Sequence, residues 1–399
     1  MKNTMNNAGG NIYLKLLPLV LCSSAALAAQ YQVIDLGTLG GDALTTAPGS
    51  GAADVSNSGQ VVGTSVVNDA DKNLHGFSYM NGILNDLPPV GADIHGMAFA
   101  VNDSGNIVGV SYQLGELNTN AVLWNTAGST TLGSFHPADI NNSDVVVGYM
   151  PQAPTYAQVH AVRWMNGSLT DLGTLGGDSS LAHAINDQGM IVGSAALADN
   201  MTQHAFLWHN GMMSDLGTLG GSGSQAFGLN DSDQVVGVSD TSAGEPHATL
   251  FTLNASGQVV SRTDLGVLSN TFSYAYDIND SGQVVGTSDS RAFLWENGTM
   301  SDLNNMIPAG SGWLLTKALA INNDGIIVGE GKHNGLPRAF MLVCDILGDL
   351  NGDGTVDQTD LGILLAAYNV DGGGDLDGDG DTDQGDLGIL LANYNQSCN

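Results

Sequence analysis

Two twelve-residue stretches near the C-terminus hold side chains whose types and spacing could do chemistry. The first, Asp349-Leu-Asn351-Gly-Asp353-Gly354-Thr355-Val-Asp357-Gln-Thr-Asp360, puts oxygen-bearing side chains at positions 1, 3, 5, 7, 9 and 12. Glycine stands at position 6, where such a loop turns sharply. The second begins 26 residues later: Asp375, Asp377, Asp379, Asp381, Asp383 and Asp386 repeat the spacing, with Gly380 at position 6. Calcium is a hard cation that takes about six to eight oxygens, and this spacing wraps them around one point. Two Ca2+ ions are therefore expected. Position 12 is Asp in both loops, one methylene shorter than the usual Glu. An acidic linker has no reason to repeat this pattern.

Other chemistry is scarce. There is no Gly-x-Ser-x-Gly elbow, no His-Glu-x-x-His and no phosphate loop ending in Lys. Four Glu among 40 acids give no distinctive pair for glycoside hydrolysis. No catalytic residue is assigned. Nine Lys+Arg against 40 acids, a net charge of −31, argue against nucleic-acid binding and against docking on an anionic membrane. Twelve of those acids lie in the last 55 residues, with no base after Arg338, which marks a separate C-terminal module.

The elements that must carry these loops are short. An apolar helix follows each loop, Leu361–Tyr368 and Leu387–Tyr394, with nearly the same sequence. Upstream, everything from Gln30 to Val343 is repetition. An Ile-Asn-Asp-x-Gly-x-Val-Val-Gly segment ends at Gly63, Gly109, Gly148, Gly193, Gly237, Gly286 and Gly329. A His/Arg-Ala-Phe-Leu-Trp-like segment follows each, and an Asp-Leu-Gly-like segment comes after that in six places. Each unit reads as four strands: Ala182–Asn186, Met190–Ser194 and His204–Trp208 are examples of the first three, and Asp-Leu-Gly ends the fourth. Asn210-Gly211 between the last two predicts a tight hairpin, as do Asn81-Gly82, Asn166-Gly167 and Asn297-Gly298. Four short strands in about 44 residues, seven times, predict an all-β seven-bladed β-propeller followed by a small α-helical calcium-binding domain. The seventh unit has no fourth strand of its own. Tyr31–Gly41 carries the missing Asp-Leu-Gly, so the first strand is expected to close the ring.

Within the repeats, the aromatics Tyr79, Trp124, Trp164, Trp208, Phe251 and Trp295 are expected to pack between blades. His75, His160, His204 and His247 sit on different blades and should not converge on a metal. The acids before three of the Asn-Asp turns, Asp54, Asp139 and Asp277, are read as part of turn formation. Irregular stretches at Leu114–Thr119, Pro151–Gln158 and Ile307–Leu315, with Trp313 off the repeat, are where a ligand site would be sought first.

Residues 1–29 read as a cleavable secretory signal, with Lys2 and Lys15 as their only charges, an apolar run Leu16–Leu21 and Ala26-Leu27-Ala28 at the cleavage site. The mature chain would keep Cys344 and Cys398, an even count that supports one disulfide bracketing the acidic segment. Domains are accordingly expected at 1–29 (signal), 30–343 (propeller) and 344–399.

The repeats resemble the family called HAF repeats ("probable extracellular repeat"), with best matches at Asp171–Gly177, Asp215–Gly221, Ile185–Gly193 and His204–Trp208. That resemblance implies an exported repeat protein and no catalytic residues. Gly348–Asn395 resembles a type I dockerin, a duplicated EF-hand-type loop plus exit helix. It implies attachment through a cohesin-like protein or cell-surface scaffold, with Gln358, Thr359, Gln384 and Gly385 at the recognition positions. The expected role is a secreted, non-catalytic binding or scaffold propeller with a glycan as candidate ligand and no membrane insertion. The alternative is a carbohydrate-active hydrolase or lyase of polysaccharide breakdown carried on the dockerin.

Overall fold

The computed structural model describes residues 31–41, 49–68, 72–113, 119–152, 158–269, 271–351, 354–370 and 372–396. The expected signal 1–29, Asp353, Cys398 and much of two irregular stretches lie outside them.

Seven four-stranded antiparallel sheets follow one another around a ring, which makes a seven-bladed β-propeller. Blade 4 is representative, with strands Gly176–Ile185, Ile191–Leu197, Gln203–His209 and Met212–Gly217 paired in order. The four Asn-Gly hairpins turn as expected: at Asn210 and Gly211 φ is 52° and 82°, values that Asn tolerates and Gly takes freely. Blade 7 takes its outer strand from the chain start. Tyr31–Asp35 pairs antiparallel with Leu336–Cys344, Tyr31 opposite Cys344 and Asp35 opposite Phe340. In blades 4 and 5 the first strand reaches back to Gly176 and Gly220, so it begins within the Gly-rich stretch that follows Asp-Leu-Gly.

Every first strand carries a bulge at the same place, for instance between Ala52 and Asp54, Ala182 and Ala184, and Ala275 and Asp277. The bulge explains two fixed features of the repeat. The residue before it, alanine in six blades and Pro137 in the third, is buried and faces the glycine of Val-Val-Gly: Ala182 opposes Gly193, which in turn opposes Phe206. A Cβ on Gly193 would collide with the Leu181 carbonyl and come within 2.9 Å of Phe206 Cε1. That glycine answers a close approach rather than an unusual backbone angle.

The core lies between blades. Val147, Ala161 and Leu172 of blade 3 pack against Ala182, Ile185, Ile191 and Phe206 of blade 4, with Trp208 at the edge. The repeated strand-three aromatics are part of these clusters, as expected. Serines tie the blades at the same level: Ser180 Oγ donates to the Gly173 carbonyl (2.6 Å) and accepts from the Ala161 N–H (2.9 Å), and Ser50, Ser224 and Ser273 do the same.

Two helices follow, α1 (Gln358–Ala367) and α2 (Gln384–Ala392), around a small core of Ile346, Val356, Leu364 and Leu390. Each helix starts three residues before its sequence-read position. Asp357 and Asp383 act as N-caps, paired with Asp360 and Asp386 in capping boxes, so two acids of each loop also start a helix.

Candidate functional site

Three carboxylates reach the central channel from the bulges: Asp54, Asp139 and Asp277 line it together with Phe99, His183, Phe227 and Tyr276. Each spans to the neighbouring blade. Asp54 accepts from its own neighbour Val55 N–H and from Val101 N–H of blade 2 (both 2.8 Å). Asp139 does so with Ile140 and Ile185, and Asp277 with Ile278 and Ile321. Desolvation by burial pushes Asp54 up to about 6 and Asp139 and Asp277 up to about 7, against partial relief from these N–H donors. The acids are therefore interblade ties rather than turn makers. The sequence reading missed this because the partner N–H lies a whole repeat away.

The turns themselves form one mouth of the channel. Asn57 N–H donates to Asp103 (2.7 Å), Asp103 to Asn142 (2.9 Å) and Asn142 to Asp187 (2.8 Å). Asp231 accepts from the backbone of Asp187, and Asp231 N–H donates to Asp280 (3.0 Å). Asp280 N–H donates to Asn323 (2.9 Å) and Asn323 N–H to Asn57 (3.0 Å), which closes the circle. Beneath it, the buried amides of Asn102, Asn141, Asn186, Asn230, Asn279 and Asn322 each donate to a carbonyl in the next blade. The shallow cavity at this mouth, about 190 Å³, is thus walled by groups already engaged with one another.

The strand-opening histidines do not converge on a metal. Each binds the Asp of its own Asp-Leu-Gly strand: His75–Asp86 (2.8 Å), His160–Asp171 (2.7 Å), His204–Asp215 (2.9 Å) and His247–Asp264 (2.8 Å). Arg291–Asp302 repeats the pairing in blade 6. Trp313 is also occupied, stacked on His333 at 4.8 Å and edge-on to Phe340.

In the C-terminal region the second loop gathers its acids. Oxygens of Asp375, Asp377 and Asp386 lie within 4.8 Å of one another, as do those of Asp381, Asp383 and Asp386. Asp379 joins neither group. Asp386 is fully buried and accepts from Leu376 and Asp377 N–H through one oxygen and from Asp383 N–H through the other. Asp360 holds the first loop identically, through Leu350, Asn351 and Asp357. Asp349 accepts from Gly354 N–H (2.8 Å), and Asp375 from Gly380 N–H (2.9 Å). The two halves are interlocked: Asn369 N–H donates to Thr382, and Asn395 N–H to Val356, at position 8 of the opposite loop. Neighbouring charge, Asp379 first, raises the Asp381 carboxyl; desolvation and its charged neighbours raise Asp377. This is an all-oxygen, self-repelling donor set, and it fits a hard divalent cation. Cys344, beside this core, is disulfide-bonded.

No family model and no curated protein matches the chain. Among solved structures it is similar to the propeller domain of the Trilobed protease from Pyrococcus furiosus, described as having an open velcro topology. Identity there is 11%, with 74% of this chain and 94% of that one covered and a TM-score of 0.48. A gluconolactonase from Xanthomonas campestris gives 11%, 80% and 92%, with a TM-score of 0.43. TolB from Acinetobacter baumannii gives 10%, 72% and 64%, with a TM-score of 0.42.

Proposed function

We propose that the chain is an exported, non-catalytic binding or scaffold protein: the propeller presents a ligand surface and the duplicated loop–helix module, holding two Ca2+ ions, tethers it. The observation that carries this reading is the pair of three-carboxylate groups in the second loop, Asp375, Asp377 and Asp386 and then Asp381, Asp383 and Asp386, which have Asp386 in common. Calcium would supply the positive charge that lets such a loop stay folded. In the first loop Asp349, Asn351, Asp353, Thr355, Asp357 and Asp360 would hold the other ion, and in the second Asp379 would complete the set. The Cys344 disulfide supports an oxidising destination, and Cys398 is its proposed partner. Among the described residues no helix is long and apolar enough to cross a membrane.

The non-catalytic half rests on the channel, where both oxygens of each carboxylate hold backbone donors, one from its own neighbour and one from the next blade. The tether half assigns the module's partner to a cohesin-like protein or a cell-surface scaffold. Calorimetric titration of the chelator-treated full chain with Ca2+ tests the first step. Two bound ions are expected, and no binding would overturn the calcium-dependent tether. Turnover of a polysaccharide would overturn the non-catalytic half.

A further inference from the structure

Away from the channel mouth, a cleft of about 380 Å³ opens where blades 4, 5 and 6 meet. That volume suits a small-molecule unit. Its apolar surface comes from Met201, Val238, Pro246 and the ring of Tyr274. Its polar surface includes Gln203, Gln225 and Asp240, with no Lys, Arg or His. Asp240 already accepts from Ser222 Oγ and Gly223 N–H, both at 3.0 Å. The side-chain amides of Gln203 and Gln225 and the Tyr274 hydroxyl make no hydrogen bond among the described residues.

We propose that this cleft binds a neutral saccharide, Tyr274 meeting the apolar face of a sugar ring and Gln203 and Gln225 meeting its hydroxyls. The proposal rests on the binding-platform reading above and gives that platform its ligand class and place. A hydroxyl both donates and accepts, and a primary amide offers one group of each kind, so two unpartnered amides match a polyol. An anionic ligand would meet Asp240 with no cation to offset it, in a chain of net charge −31. Tyr274 is held in place by its neighbours: it lies edge-on to Phe272 at 5.9 Å and nearly parallel to Tyr276 at 6.5 Å. Tyr276 then meets Phe227 (5.8 Å) and Phe227 meets His183 (5.3 Å), which carries a line of rings from the cleft into the channel.

The test is a printed array of neutral and uronic-acid oligosaccharides probed with the full chain in calcium buffer, with calorimetry on the best neutral hit. Binding of a neutral oligosaccharide in preference to its uronic-acid counterpart is expected. Tyr274→Ala and Gln225→Ala should each weaken it at least about tenfold with little change in melting temperature. If Tyr274→Ala perturbs folding, Gln225→Ala, which removes only a lining amide, still decides the matter. No neutral hit, or a hit unaffected by Gln225→Ala, overturns the proposal. Either result leaves the calcium titration untouched, so the two readings fail separately.

Discussion

Asp35, on the first strand of the ring, and His333, at the end of a strand in the last blade, meet at 2.8 Å across 298 residues of chain. The repeat's own partner for Asp35 is Arg338, at the strand-three position and 4.0 Å away, so in blade 7 a histidine from the end of the second strand makes the closer contact.

Magnitudes decide what closes the ring. Both partners of His333–Asp35 are about one-third exposed, and such pairs contribute roughly 0.2–1 kcal/mol. Tyr31, on the same strand, is 1% exposed and packs with Phe340, Leu342 and Leu303, and burial pushes its phenol pKa upward. Tyr31→Ala should cost about 3–5 kcal/mol, and Asp35→Ala less than about 1 kcal/mol. Urea unfolding of the two variants checks the order. Equal effects would place the closure in the His333–Asp35 contact.

Gly193→Ala should destabilise blade 4 by about 2–3 kcal/mol, because the bulge carbonyl of Leu181 occupies the space the methyl needs. Gly211→Ala, in the hairpin, meets nothing within 4 Å and should suffer only from its φ of +82°, by about 1 kcal/mol. Paired thermal melts of these variants separate close approach from backbone angle.

The channel acids give a pH signature. Asp54, Asp139 and Asp277 have folded pKa values raised above the unfolded 3.8, to about 6, 7 and 7. Between about pH 4 and pH 7 the folded ring therefore binds more protons than the unfolded chain. Their contribution to stability is greatest at the acid end and falls as pH rises through that window. Replacing all three by Asn should flatten the decline of melting temperature between about pH 4 and pH 7, followed by calorimetry. An unchanged slope would contradict the assignment.

Asp386→Ala should leave three partly buried N–H groups without their acceptor, which costs about 1–3 kcal/mol, and should weaken calcium at the second loop. Asp379→Ala, outside both oxygen groups, should cost far less fold stability. Circular dichroism of the α1 and α2 signal on chelation reads both.

Blade count, blade strand order and the closing strand were legible because each repeat announces itself locally: Asn-Gly sets a hairpin, Val-Val-Gly recurs once per unit, and Asp-Leu-Gly at the chain start supplies the missing strand. The two acidic loops were legible for the same reason, since twelve consecutive residues carry every proposed ligand. What the sequence concealed are contacts a repeat apart. Asp54, Asp139 and Asp277 look like turn residues until the bulge swings them toward the next blade, some 44 to 47 residues on. His75 and Asp86 look unrelated until strands three and four are paired. The cleft at Tyr274 needs three blades at once, so no local pattern marks it, whereas irregular Trp313, conspicuous in sequence, is packed against His333. Local chemistry determined the units; the curvature of the closed ring decided which of their side chains are tied and which are left free to bind.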